Sequence, residues 1–243
     1  MTIAYVNSAD LGNNGGGGAN LVGSYTVTSG SSVLLVWVSS YVVSGNSFDV
    51  SGVTYAGNAC TMALNGTDAT LRRFGSIWYL ANPPAGTANV VVSGADYISA
   101  GVSEYSGTAT SPEATLFTVG AVNAGSVTGA ITTIAANAWV IAGDPGSLGY
   151  LYFFSCVNYT NRVSSADNTL DLGEYSNNPV VSPGSVSITL ARNGNAGSGY
   201  GLGGYFLSFA PAGAAAAAVA GWEGQGLQTP SPRPFRAIGG TPT

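Results

Sequence analysis

The sequence predicts an all-β chain: a two-sheet sandwich followed by an extended C-terminal arm. Three observations predict it. Apolar and polar residues alternate with period two along most of the chain, as in Ser24-Tyr-Thr-Val-Thr28 and Val186-Ser-Ile-Thr-Leu190. Turn chemistry recurs at short intervals, at Ser44-Gly45-Asn46, Asn65-Gly66, Asn82-Pro-Pro-Ala-Gly86, Asp144-Pro-Gly146 and Asn193-Gly194. No amphipathic helical pattern precedes residue 210, and many short strands at regular spacing favour a sandwich.

Taken in order, a strand over 2–7 opens the chain, and Gly15-Gly-Gly-Gly18 is a flexible connection, so 1–19 stands apart from the sandwich. No Lys-Ser/Thr follows these glycines, so they are not a phosphate loop. The sandwich spans 20–212. Its strands are expected at 24–28, 33–38, 52–56, 59–64, 74–80, 88–93 and 98–105, then at 115–119, 130–134, 138–143, 150–157, 186–190 and 202–209. Val33-Leu-Leu-Val-Trp-Val38 is apolar on both faces and is expected as a central strand covered on both sides. Ala138-Trp-Val-Ile-Ala142 echoes it, and two such strands suit facing halves of a sandwich, although the spacing is too irregular for a repeat.

After Pro211 the composition changes. Ala212-Gly-Ala-Ala-Ala-Ala-Ala-Val-Ala220 is a low-complexity spacer, and Gly221–Thr243 carries four prolines without strand alternation, so 213–243 is expected as an arm. Proline-rich chain favours polyproline II, which at about 3.1 Å per residue carries 23 residues roughly 70 Å. A body of ~210 residues has a radius of gyration near 17 Å, so the arm outreaches it. Trp222, Leu227, Phe235 and Ile238, with Arg233 and Arg236, are the candidate anchors on a partner. The plainer alternative is a disordered tail.

Composition excludes several functions. All six cations are arginine, histidine is absent, 7% of residues are charged and the net charge is −5. Without histidine there is no Ser-His-Asp triad. Without a cationic stripe, nucleic acid has no electrostatic footing, and Arg72-Arg73 is the single adjacent basic pair. The chain's apolar runs, Val33–Val38 among them, are far too short to span a membrane. Cys60 and Cys156 form no CxxC or Cys/His cluster, which argues against zinc; they are most simply buried hydrophobes, with a disulfide as the alternative. The N-terminus has neither the basic nor the apolar region of a secretory signal. The Ser/Thr/Gly/Asn-rich surface nevertheless suits an extracellular protein. A virion component assembled in the host cytoplasm and released by lysis reconciles the two, as does a mature chain whose signal has been removed.

Few residues offer chemistry. Asp167, Asp171 and Glu174, near Asn168, Asn177 and Asn178, provide hard oxygen ligands for Ca²⁺ without EF-hand spacing. Glu104 is the one carboxylate within a well-patterned strand; a glycosidase would need a second across a cleft, and a half-buried Glu satisfied by hydroxyls or an arginine is the simpler reading. Trp37, Trp78 and Trp139 fall in apolar strands and are expected in the core. Tyr150, Tyr152, Tyr159, Tyr175 and Tyr200 flank loops and are the candidates for a contact surface.

Several segments resemble a family of jelly-roll-like β-sandwich domains found in phage structural and tail-associated proteins and in bacterial surface proteins. They are Val33–Val38, Gly52-Val-Thr-Tyr-Ala-Gly57, Ile77-Trp-Tyr-Leu-Ala-Asn-Pro-Pro-Ala-Gly86, Ala88-Asn-Val-Val-Val-Ser93, Gly101-Val-Ser-Glu-Tyr-Ser-Gly107 and Gly204-Tyr-Phe-Leu-Ser-Phe-Ala-Pro211. The resemblance covers 20–212 and implies a jelly-roll-like sandwich with a display or assembly role and no catalytic residues. The expected function is therefore a non-enzymatic virion structural protein, a capsid-decoration or tail-associated subunit. It would assemble with copies of itself and other virion proteins, without cofactor, nucleic acid or membrane insertion. The alternatives are a carbohydrate-binding or adhesive surface module using loop aromatics and Ca²⁺, or a subunit of an extracellular filament.

Overall fold

A computed structural model describes residues 1–15, 19–41, 50–68, 73–94, 97–121, 124–145, 153–154, 159–164, 170–193 and 203–214. Among these residues there is no helix. The first half runs β1 (Ala4–Asn13), β2 (Leu21–Val27), β3 (Val33–Tyr41), β4 (Val50–Tyr55), the short β5 (Asn58–Ala59), β6 (Thr61–Asp68), β7 (Arg73–Ala81), β8 (Gly86–Gly94) and β9 (Tyr97–Ser106). The second half runs β10 (Ala114–Val119), β11 (Ser126–Thr133), β12 (Trp139–Asp144), the short β13 (Phe153–Phe154), β14 (Tyr159–Ser164), β15 (Asp171–Tyr175), β16 (Gly184–Asn193) and β17 (Gly203–Phe209).

The chain is all-β and built as a sandwich, but the described residues form four antiparallel sheets where alternation predicts two. Their orders are β1-β9-β3-β7-β6, β2-β8-β4-β5, β10-β17-β12-β15-β14 and β11-β16-β13. Set β5 aside and number the strands within each half. Both halves then pair in the order 1-8-3-6-5 in a five-stranded inner sheet and 2-7-4 in an outer sheet. The halves share one topology. Registers agree as well: Val33 opposes Tyr105 as Trp139 opposes Phe209, so Trp37 and Gly143 occupy equivalent positions. The echo between Val33–Val38 and Ala138–Ala142 marks the third strand of each half.

Three cores separate four layers. Leu34, Val36 and Val38 of β3 pack on Val53, Tyr55, Val90 and Val92 of the first outer sheet. The alternate residues Val33, Leu35 and Trp37 pack on Ile141, Leu172, Tyr205, Leu207 and Phe209 of the second inner sheet. Val140, Ala142 and Phe206 close the third core with Val127, Ile131, Ile188 and Leu190. β3 is therefore apolar on both faces because sheets lie on both sides of it, as its sequence predicts. Bulky rings seat on glycines between the inner sheets. A Cβ at Gly143 would lie 3.1 Å from the Trp37 ring, and one at Gly75 2.6 Å from the Tyr205 hydroxyl. That hydroxyl donates to the Gly66 carbonyl oxygen at 2.6 Å.

β14 and β15 are strands that the sequence pattern does not announce. Asp-Leu-Gly-Glu-Tyr carries two carboxylates and a glycine, the composition of a loop, yet Asp171, Leu172, Gly173 and Glu174 are all buried. Of the strand expected at 150–157, Phe153–Phe154 is described and pairs with Arg192 and Asn193; the rest lies outside the described residues.

Candidate functional site

Because the halves share one topology and pack inner sheet to inner sheet, each edge of one inner sheet meets an edge of the other. β1 lies beside β14, and β6 beside β10. The two seams are equivalent, and each contains a β-bulge at the same place in its fifth strand. The extra residue is Arg162 between Asn161 and Val163 in β14, and Ala63 between Met62 and Leu64 in β6. A bulge re-aims a side chain at a sheet edge, and these two residues face different fates.

At the first seam Arg162 fills the space. Its Nε donates to Glu174 Oε2 at 2.7 Å and its guanidinium lies 4.0 Å from the centre of the Tyr5 ring. The Tyr5 hydroxyl shares a 2.7 Å hydrogen bond with Ser8 Oγ, which donates to the Arg162 carbonyl oxygen at 3.1 Å. Tyr105 abuts Tyr5 edge-on with ring centres 6.0 Å apart. Burial raises the Glu174 carboxyl above the ordinary value of 4.5, while Arg162, then Tyr105, oppose the rise. An acid whose native pKa is raised binds more protons folded than unfolded, so its contribution to stability is full below about pH 4.5 and is lost as pH climbs through the native value. Glu174→Gln should therefore remove a decline in stability above pH 4.5 that wild type shows. Urea unfolding from pH 4 to 7 measures it, and parallel profiles for the two proteins would contradict this account of Glu174.

At the second seam the equivalent positions leave a groove of about 350 Å³, lined by Met62, Ala63, Tyr79, Pro112, Glu113 and Thr115 among others. Tyr79 pairs with β3 where Glu174 pairs with β12: Leu35 opposes Tyr79 as Ile141 opposes Glu174. Glu113 precedes Ala114, which opposes Ser208, and so holds the place that Tyr5 holds opposite Tyr105. Glu113 accepts from Ile134 N at 3.0 Å, Ala135 N at 2.9 Å and Ser208 Oγ at 2.7 Å.

The first half builds the same bracket from a different residue. Glu104 accepts from Thr28 N at 3.2 Å, Thr28 Oγ1 at 2.7 Å and Ser31 Oγ at 3.2 Å. Thr28 and Ile134 both stand at the same distance before the third strand of their half, and Glu104 and Ser208 are register equivalents. One carboxylate pins the same turn in each half. Glu104 is thus a brace satisfied by hydroxyls, as expected, and by a backbone N–H, but it is wholly rather than half-buried.

The other candidate residues are dispersed. Tyr159, expected at a contact surface, is buried and donates to the Ala142 carbonyl oxygen at 2.9 Å, so it is a core residue. Tyr175 is half-buried and its hydroxyl accepts from Asn177 Nδ2 at 3.2 Å. Asp171 and Glu174, read as Ca²⁺ ligands, alternate to opposite faces of β15, and Glu174 is engaged by Arg162; the calcium reading loses its convergence here. Among the described residues no group of three or more His, Cys, Asp or Glu side chains could hold a metal. Trp37 and Trp78 are buried and Trp139 is half-buried against the middle core. Cys60 is a buried free thiol that burial pushes up to about 12. Tyr150, Tyr152, Tyr200, Cys156, Asp167, Asn168 and the anchors Trp222, Leu227, Arg233, Phe235, Arg236 and Ile238 lie outside the described residues. The seam residues Tyr5, Ala63, Tyr79, Glu113 and Arg162 carry no sequence signal, since a bulge and its facing edge are joined only by the tertiary fold. No protein-family model matches the chain, and no curated protein matches it.

Proposed function

We propose that this chain is a non-enzymatic virion structural protein, a capsid-decoration or tail-associated subunit, whose folded body assembles through the segment 213–243. Its partners are copies of itself and other virion structural proteins. The observation that carries the reading is that, among the described residues, three cores form between Ile3 and Phe209, with β17 lying between β10 and β12. Residues just after β17 are tied to the junction of the halves, with Ala212 N donating to the Gly107 carbonyl oxygen at 2.7 Å. A further 29 residues, 215–243, follow. Those residues are the ones we assign to contact with another molecule.

Two features support an assembly role. The repeated order 1-8-3-6 with 2-7-4 is the nesting that a rolled β-hairpin produces, which is why we assign each half as jelly-roll-like. The exposed face of β11 and β16 carries Ser126, Thr128, Ala130, Thr132, Ser185, Ser187 and Thr189, with Thr128 Oγ1 and Thr189 Oγ1 2.8 Å apart. Such a face is uncharged, so packing it against a neighbour desolvates hydroxyls but no ions. Apolar anchors filling pockets, extended backbone pairing with a sheet edge and repeated copies supplying avidity complete the mechanism. The adhesive-module reading loses one of its aromatics, since Tyr159 is in the core.

Light scattering over a concentration series tests the reading. The full chain should form assemblies, and a chain ending at Ala214 should scatter as a monomer at the same concentrations. Equal scattering by the two would reject arm-driven assembly.

A further inference from the structure

Contacts between the two inner sheets repeat across a two-fold axis that relates the halves. Trp37 and Gly143 are equivalent positions and touch each other, with the Trp37 ring 3.1 Å from where a Gly143 Cβ would stand, so this pair sits on the axis. Away from the axis, Tyr205 of β17 rests on Gly75 of β7, where a Cβ would lie 2.6 Å from the Tyr205 hydroxyl oxygen. Tyr105 and Phe209 are equivalent, which makes Gly101 the counterpart of Tyr205. Tyr79 and Glu174 are equivalent, which makes Leu170 the counterpart of Gly75. A two-fold axis then requires Gly101 to meet Leu170, and it does: a Cβ at Gly101 would lie 2.6 Å from Leu170 Cδ2. At each of these three contacts a bulky side chain meets a glycine.

We propose that the inner face of each half is a selective docking surface, which accepts the opposite half and rejects another copy of itself. Two first halves paired in this way would set Trp37 against Trp37 and leave Gly75 facing Gly101 in both off-axis places. Two second halves would leave Gly143 facing Gly143 and drive Tyr205 into Leu170 twice. Voids and collisions are both costly in a close-packed interior. Apolar character cannot make the distinction, since Val33, Leu35 and Ile77 on one face are matched by Ile141, Leu172 and Leu207 on the other. The mismatches against the wrong pairing make it instead. The geometry is that of an isologous dimer interface, in which one patch meets its own equivalent, altered so that like no longer fits like. Where many copies fold side by side, like-with-like pairing is excluded and one arrangement of the halves remains.

Urea unfolding of full-length variants tests the sockets. Gly101→Leu and Gly75→Leu each place a bulky side chain where Leu170 or Tyr205 already fills the space, and so reproduce the collision of two second halves. Gly101 is the cleaner site, because the next atoms its Cβ would meet are Val163 Cγ1 at 3.4 Å and the Ala9 carbonyl oxygen at 3.5 Å, both ordinary contacts. Each variant should lower the urea midpoint by about 0.5 M or more. Gly101→Leu with Leu170→Ala should be more stable than the two single effects add up to, because the new side chain enters the space that the old one leaves. Gly101→Leu with Tyr205→Ala, which crosses the two sockets, should be additive. Additivity in the matched pair, or equal coupling in the crossed pair, overturns the assignment of the sockets.

Choice of partner is tested by cutting the link between the halves. A protease site is inserted between the exposed Thr110 and Ser111, and the full-length protein is cleaved, unfolded in urea and returned to buffer. Native mass spectrometry then counts the two fragments in each complex. We expect equal numbers of the two, whatever the size of the complex, so the result does not depend on assembly through 213–243. Complexes built from one kind of fragment alone overturn the proposal. Fragments that do not pair at all overturn it too, because a selective surface has to find its partner without the link.

Discussion

Replacing Trp37 by alanine should destabilise the protein by about 3–5 kcal/mol, the range for deleting a large buried aromatic side chain. The position explains the size. Trp37 is fully buried in the core between the two inner sheets, rests over Gly143 of the facing half, and donates from Nε1 to Ser103 Oγ at 3.3 Å. Its removal opens a cavity that the stiff strands β3, β9 and β12 cannot collapse to fill, and it leaves Ser103 without a donor. For a chain of this length each kcal/mol moves the melting temperature by roughly 2–4 °C, so a fall of about 10 °C is expected. Val22→Ala is the control, since Val22 is 55% exposed on an outer face and a surface change stays within about 0.5 kcal/mol. A Trp37 variant as mild as that control would mean that the two halves do not depend on the middle core.

Glu104→Ala should cost about 3 kcal/mol. The carboxylate sits at the end of β9 with no solvent exposure and accepts from one backbone N–H and two hydroxyls in the turn before β3. Truncation removes the acceptor of all three donors; the buried Ser31 hydroxyl left without a partner costs about 1–3 kcal/mol, the exposed Thr28 turns in part to water, and the lost packing of a fully buried side chain adds to the cost. Glu104→Gln keeps one acceptor oxygen and presents an NH₂ group to the remaining donors, so it should fall between wild type and alanine. Urea unfolding of the three proteins gives the ranking. Equal stability of the glutamine and wild-type proteins would show that charge contributes nothing to the brace.

The sheet architecture was legible in the sequence to the extent that burial follows local pattern. Alternation located strands near β2, β8 and β16, and the doubly apolar Val33–Val38 announced a strand covered on both faces. The number of sheets was not legible. Whether a strand such as β17, buried along its whole length, faces one neighbouring sheet or two depends on how the halves stack, and no local window records that. The duplication was nearly silent for a related reason. Equivalent positions exchange large for small, as with Trp37 and Gly143, so packing is complementary while sequence similarity is lost. β14 and β15 were hidden because β15 buries a carboxylate, Glu174, whose partner is the exposed Arg162 of β14, and such polar composition mimics a loop. Glu104 is satisfied by hydroxyls as its strand context suggests, and differs only in being fully buried. Its counterpart Glu113 was invisible, because it reaches the equivalent turn from a different strand.

Assembly through 213–243 requires a folded body that is complete without those residues. Urea unfolding of a chain ending at Ala214, compared with the full chain at a concentration where both are monomeric, tests this most directly. The slope of stability against urea scales with the surface exposed on unfolding. A complete body predicts the same slope and the same midpoint for both chains. A shallower slope together with a lower midpoint in the shortened chain would mean that residues 215–243 belong to its own core, and would contradict the account.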